Sequence, residues 1–302
     1  MAGLVSDNLR RLESIGLHNM TTEEMVQADS QVESRFHFSE GVWWRQVKPF
    51  FYQPAFFMTR IVPQEAEPKP WLALGGYYHM VPEALRSNGV IAVYEIENLK
   101  GYALENLKKK SRYEVRRALG MLEIKPVDHL DELLNDGYRI YLSWERKTCP
   151  KVRRSDPRVF QRWTRRSFNH PYTLILGAYY QGHLVAYSFA HAVEGVAEIT
   201  RCFTDIEFYK TCSVSPAKAL TYAYVTIGRQ NPNIKKVCNG LTNDNRLLAE
   251  FKTRLGFRAV SYPAWIHLRS GVKPLVRWWM PREYRLLMGT YETDVSSQRE
   301  TA

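Results

Sequence analysis

The chain has 302 residues, 45% of them hydrophobic and 24% charged, a balance that excludes a disordered chain and leaves room for one large domain or two ordinary ones. The four cysteines form no CxxC pair and the eight histidines form no close pairs, which argues against a zinc module and a disulfide scaffold, so no metal is expected. The formal net charge of +11 calls for an anionic partner: nucleic acid, anionic lipid headgroups, an acidic carrier protein or a phosphate-bearing cofactor.

The first residues lack the basic region and apolar run of a signal peptide. No apolar stretch approaches the ~18 residues that span a bilayer. With unpaired cysteines, a reduced, cytoplasmic setting is expected. Residues 1–35 are polar and predict one or two short helices. Residues 36–98 are rich in aromatic and β-branched side chains, punctuated at Pro54, Pro63, Pro68, Pro70 and Gly75-Gly76. They predict strands near Phe56–Val62, Trp71–His79 and Val90–Glu97.

A helix is predicted over Ala103–Leu119, with Leu104, Leu107, Val115 and Leu119 on one face and Gly120 at its C-cap. Its other face carries Lys108, Lys109, Lys110, Arg112, Arg116 and Arg117. A short strand, Met121–Val127, leads to Asp128, a predicted N-cap for a helix over Leu130–Arg146. Between Arg146 and Arg166 stand nine basic residues and one acidic residue. There Ser155-Asp156-Pro157 predicts a helix start with proline in the first turn.

From Tyr172 the pattern changes. Tyr172–Tyr180, Leu184–Ala192 and Val196–Thr204 predict an antiparallel meander, turning at Gln181-Gly182 and Glu194-Gly195. Pro216–Arg229 predicts a helix with Ser215 at the cap. Ile234–Asn239 predicts a strand. Asn243 or Asp244 is expected to cap a helix running to Arg254 and ending at Gly256, and Phe257–Leu268 a final strand. Strand meander followed by α-β-α-β implies an α/β (α+β) fold, a mixed, mostly antiparallel twisted sheet flanked by helices.

This order of elements, and the segment Asn245-Arg-Leu-Leu248-Ala-Glu-Phe251-Lys252-Thr-Arg-Leu255-Gly256-Phe257, resemble the GNAT superfamily of N-acyltransferases, and within it the Fem-type branch, whose chains hold two tandem GNAT-like halves. The resemblance implies that Asn245 contacts the donor arm. Lys252 stands where the family often has a tyrosine acting as general acid. The family's phosphate loop falls at Lys210–Ala217, where Cys212, Ser215 and Ala217 replace its glutamine or arginine and its glycines. Lys210, Ser215, Ala217 and Asn245 are therefore the candidate donor-binding residues. Loss of the glycines leaves three donors open: acyl-CoA, an acyl-carrier-protein thioester, and the aminoacyl-tRNA that Fem-type enzymes use.

Acyl transfer to an amine needs a base, and stabilisation of the carbonyl oxygen as it gains charge. Glu198 interrupts the apolar strand Val196–Thr204, and burial there would suit it to act as base. By simple alternation Glu198 shares a face with Val196, Thr200 and Cys202, and Arg201 occupies the other face with Ala197, Ile199 and Phe203. His191 and Lys252 complete the candidate catalytic set. The function implied is acyl or aminoacyl transfer to an amine acceptor by direct attack, with the basic stretch 146–166 receiving an acidic carrier protein or tRNA. The competing reading is a non-catalytic GNAT-type fold whose basic face holds nucleic acid or an anionic membrane. For that reading the tail Val272–Met288 interleaves Lys273, Arg277, Arg282 and Arg285 with Leu275, Trp278, Trp279 and Leu286, a pattern suited to peripheral membrane contact. The expected organisation is a helical extension at 1–35, a β-rich lobe at 36–127, a GNAT-like domain at 128–270, and a basic, aromatic helix with a disordered tail at 271–302.

Overall fold

The computed structural model describes residues 2–30, 35–148, 156–242, 245–279 and 284. In chain order it begins with α1 (Ala2–Ser14), β1 (Asn19–Met20) and α2 (Thr22–Ser30). Helix α2 starts at a reciprocal capping pair: the Thr21 amide donates to Glu24 and the Glu24 amide donates to the Thr21 hydroxyl. The aromatic segment forms β2 (Phe36–Ser39), β3 (Val42–Lys48), β4 (Phe51–Pro54), β5 (Gly76–Met80) and β6 (Gly89–Ile96). The strand expected at Phe56–Val62 is absent; that run is irregular, and its Arg60 makes an isolated bridge to Met80. Phe57 and Met58 pack against a buried cluster of Met80, Ile91, Val93 and Tyr262, so the apolar run fills core without entering a ladder.

The basic helix is shorter at its start than expected. A 3-10 turn at Leu104–Asn106 precedes α3 (Lys109–Met121), whose cap is Leu122, so the helix runs through Gly120. Strand β7 (Glu123–Pro126) follows. Helix α4 (Leu130–Glu132) passes through a π turn at Leu133–Gly137 into α5 (Tyr138–Thr148). His129, not Asp128, holds the N-cap of α4, with no side-chain hydrogen bond. Helix α6 (Pro157–Asn169) begins as its sequence dictates: Asp156 accepts from the Arg158 amide at 2.8 Å and Pro157 occupies the first turn.

The meander is β8 (Leu174–Tyr180), β9 (His183–Val193) and β10 (Val196–Thr204). Its turn residues Gln181-Gly182 and Glu194-Gly195 all take positive φ, between 49° and 82°. Helix α7 (Ile206–Cys212), unmarked in the sequence pattern, precedes α8 (Pro216–Gln230), β11 (Lys236–Leu241), α9 (Arg246–Arg254), β12 (Arg258–Leu268) and α10 (Val272–Trp279). Asn243 and Asp244 lie outside the described residues; Asn245 caps α9, its Oδ1 accepting from the Leu248 amide at 3.2 Å. Cys149 and the tail residues Arg282, Arg285 and Leu286 also lie outside them. Among the described residues no helix is long and apolar enough to cross a membrane.

By internal contacts the chain forms two units. Unit 1 comprises Met1–Met20, Glu95–Gly240 and Glu250–Arg258. Its strands run in the order β7-β8-β9-β10-β11, antiparallel except for the parallel β10–β11 pair, and β1 adds to β9 in parallel. Helix α8 covers one face. Its Tyr224 hydroxyl accepts from the Leu176 amide and donates to backbone carbonyls of the sheet, and Gly228 lets it approach Val237. The opposite face carries Tyr187, Phe189 and Phe203, packed with Tyr141 and Trp144 of α5 and Trp163 and Phe168 of α6. Unit 2 comprises Thr21–Tyr94, Leu241–Ala249 and Ala259–Ala302. Its strands run β2-β3-β4-β5-β12-β6, with β4–β5 parallel, around a core of Trp44, Tyr52, Ile61 and Tyr77.

Candidate active site

The meander's last strand parts from its parallel neighbour midway. Strand β10 pairs with β11 through Val196–Lys236, Ala197–Val237 and Glu198–Cys238. Both strands then continue, β10 to Thr204 and β11 to Leu241. Among the described residues, β10 beyond Glu198 has no strand partner on that side. A carboxylate therefore stands where the two strands diverge.

Glu198 is also paired across β9. Its register partner is His191, and His191 Nε2 lies 3.6 Å from Glu198 Oε2, with the two side chains 27% and 28% exposed. Glu198 is half-buried, with the His191 imidazole beside its carboxylate. His191 is accordingly no isolated strand-end histidine.

On β11 the same face continues with charged and polar groups. Glu95, whose side chain is fully buried, accepts from Lys236 Nζ at 3.3 Å and lies 3.8 Å from Cys238 Sγ. Burial, then the carboxylates of Glu95 and Glu198, push the Cys238 thiol well above its ordinary range, so it stays protonated and is a poor nucleophile at neutral pH. Lys252 of α9 is 4% exposed. Its Nζ lies 3.8 Å from the point where a Cβ on Gly240, near the end of β11, would stand. Burial lowers the Lys252 ammonium from 10.5 to about 8. Glu198 and His191 thus share one face of unit 1 with Glu95, Lys236 and Cys238, and Lys252 lies at the end of β11 beside Gly240. Glu95, Lys236 and Cys238 were missed in the sequence, although Glu95 carried the same signal as Glu198, a lone carboxylate in an apolar strand.

A bulge changes the rest of that face. The register of β9 and β10 shifts between Ile199 and Arg201: Ile199 pairs with Ala190 and Arg201 with Phe189. Phe189 and His191 are two apart on β9 and share a face, so their partners Arg201 and Glu198 do too. The expectation that Arg201 points away from Glu198 is overturned by this extra residue. Arg201 is exposed and its guanidinium lies 4.6 Å over the Trp163 ring.

The donor-loop residues lie around the start of α8. Ser215 occupies the N-cap with no side-chain cap bond and Pro216 opens the helix. Ala217 is half-buried. Ser213 takes left-handed φ (52°) at the end of α7. Cys212 keeps its carbonyl bonded to Arg117 at 3.1 Å. Lys210 is not aimed alone at this loop: it sits on α7, exposed, and pairs with Glu207 at 2.8 Å. Lys218, one residue past Ala217, is buried and paired with Glu114. Asn245 belongs to unit 2 and its side chain caps α9. Asp205 is a structural residue, capping α7 and bound to Arg139 and Ser143. A separate concavity of about 560 Å³ in unit 1, lined by Gly16, Leu17, His18, Ile227, Gln230 and Asn231 among others, includes none of the cluster residues.

No family model matches the sequence. No curated protein matches it either. Solved structures do. FemX superposes with a TM-score of 0.56 at 8% identity, over 91% of this chain and 98% of FemX. The C-terminal domain of a candidate lysylphosphatidylglycerol synthetase from Agrobacterium fabrum gives 0.52 at 9% identity, over 95% and 99%. A conserved protein of unknown function from Bacteroides thetaiotaomicron gives 0.51 at 10% identity, over 88% and 97%. At such identities the likeness is one of fold, and it spans both units. The chain has a GNAT-like fold of the Fem type.

Proposed function

We propose that this protein is an N-acyltransferase that moves an acyl or aminoacyl group from an anionic donor to an amine by direct attack. The observation that carries this reading is the parting of β10 and β11 at Glu198, with a carboxylate–imidazole pair at the fork. In the reaction the amine nitrogen forms the new C–N bond and gives up a proton to Glu198, with His191 sharing the charge. The bond from the carbonyl carbon to the thioester sulfur or the ribose oxygen breaks. Lys252, held near 8, is charged at neutral pH and loses its proton more readily than a surface lysine, so it can protonate the leaving group. The unpaired edge of β10 beyond Glu198 offers backbone donors to the carbonyl oxygen or to the donor's arm. The α8 N-terminus, with Ser215 and Ala217, would meet the donor phosphates.

The exposed arginines Arg158, Arg162 and Arg165 of α6 suit a macromolecular polyanion, a tRNA or an acidic carrier protein, as donor. Titration with CoA, a long-chain acyl-CoA, acyl carrier protein and aminoacyl-tRNA, read by thermal midpoint, identifies the donor. A ligand at ~100 times its Kd adds about 2.7 kcal/mol. With the donor in hand, Glu198→Gln should lower turnover by roughly 10²- to 10⁴-fold. Turnover unchanged in this variant would remove Glu198 from the chemistry.

A further inference from the structure

We propose that Arg201 binds an anionic group of the acceptor, so that the acceptor is an amine carrying a phosphate or carboxylate. The inference rests on the acyltransferase reading for its amine end and on independent geometry for its anionic end.

The β-bulge places Arg201 on the face of Glu198 and His191. There its guanidinium lies 4.6 Å from the centroid of Trp163. Trp163 is itself fixed against Phe189, with ring centroids 5.1 Å apart. The in-plane N–H edge of a guanidinium is the part that grips an oxyanion in two parallel bonds. Among the described residues, no carboxylate pairs with Arg201 and none of its side-chain N–H groups hydrogen-bonds to the protein. Burial makes its proton easier to lose; Tyr141 opposes that, and the like charge of Arg166 adds to it. A guanidinium over a ring with no carboxylate partner is a place where an anion would bind.

Helix α8, whose N-terminus would meet the donor's phosphates, covers the opposite face, the one that carries Val237. Arg201 shares its face with Glu198, where the attacking amine would lose its proton, so the acceptor is the reactant assigned to it. The spacing fits a small molecule. Along β9, the partners of Glu198 and Arg201 are two residues apart, roughly 7 Å. Side chains from positions that far apart on the backbone can both reach one small molecule, such as a short amino acid or a phosphorylated amino alcohol. The same chemistry occurs in a free metabolite and in the amine-bearing headgroup of a phospholipid.

The test is binding and needs no acyl transfer, so its failure is distinct from failure of Glu198 as base. The full chain is titrated calorimetrically with phosphoethanolamine against ethanolamine, and with β-alanine against its amide. It is also floated with phosphatidylcholine vesicles, with and without phosphatidylethanolamine. An anionic probe is expected to bind about tenfold or more tightly than its neutral counterpart, and Arg201→Leu to abolish the difference. Arg201→Lys keeps the charge and loses the fork; it is expected to retain part of the preference, and it serves as the readout if Arg201→Leu does not fold. Binding to soluble probes points to a free metabolite, and capture only by phosphatidylethanolamine vesicles to a lipid headgroup. Either result, lost in the variant, supports the site. Equal affinity for charged and neutral probes together with no vesicle preference, or a preference unchanged in Arg201→Leu and Arg201→Lys, overturns it.

Discussion

Asn8 is fully buried, and its amide spends every bond on backbone: Nδ2 donates to the carbonyls of Leu119 and Leu122, and Oδ1 accepts from the Ile124 amide. One side chain thus ties α1 to the end of α3 and to β7. Asn8→Ala strands two carbonyls and one amide without water, and should cost about 2–4 kcal/mol, measured by urea denaturation. Lys252 gives the opposite case, a buried charge with a depressed pKa. Below about 8 the folded protein carries the full desolvation penalty of the ammonium; above 10.5 neither state is charged. Between these values the unfolded chain binds more protons, so this group's contribution rises with pH. Stability of the parent relative to Lys252→Met should therefore increase by on the order of 1–3 kcal/mol from pH 8 to pH 10.5, read as the difference between two pH-dependent denaturation curves; parallel curves would refute a buried Lys252. Glu198 was legible in the sequence because an acid in an apolar strand breaks the pattern. Arg201 was not, since a bulge at Thr200 has no composition of its own and one inserted residue exchanges the faces beyond it.

Elements with strong punctuation were read nearly to the residue. Val196–Thr204 is the strand its sequence predicts, bounded by a Glu-Gly turn. Helix α8 begins at the Ser215-Pro216 boundary and runs one residue beyond the expected end. The irregular Phe56–Val62 run and helix α7 were misread for a common reason. Both are short, and their form is imposed from outside, by packing against Met80 in one case and by Asp205 capping in the other. The closeness of α8 to the sheet depends on Gly228, where an added Cβ would stand 2.9 Å from Val237 Cγ2. Alanine gains helix propensity of about 1 kcal/mol, but Val237 is fully buried and its branched side chain has little freedom to move. Gly228→Ala should be destabilising by about 1–3 kcal/mol. Val237→Ala removes the offending methyl, so the double variant should recover most of that loss, with a coupling energy of at least about 0.5 kcal/mol in a double-mutant cycle. Additive effects would show that α8 shifts to make room.

On the scale of the whole molecule, the excess of eleven positive charges has to be divided between charges that are used internally and charges left for a partner. Lys218, Lys236, Arg11 and Arg139 are spent on carboxylates within unit 1. Arg158, Arg162 and Arg165 are exposed on α6, whose buried side is Phe160 and Thr164. Their spacing of four and three residues puts them in one stripe. Reversing all three to glutamate leaves the packed side of the helix untouched, so each change should alter stability by less than about 0.5 kcal/mol. If the stripe receives a polynucleotide donor, the dependence of log affinity for tRNA on log salt should become shallower by roughly two to three units, one counterion per lost contact. Affinity for CoA, too short to follow the helix, should be unchanged in the same variant. A tRNA salt slope identical in parent and variant would free α6 from donor binding and return the donor's phosphates to the α8 N-terminus alone.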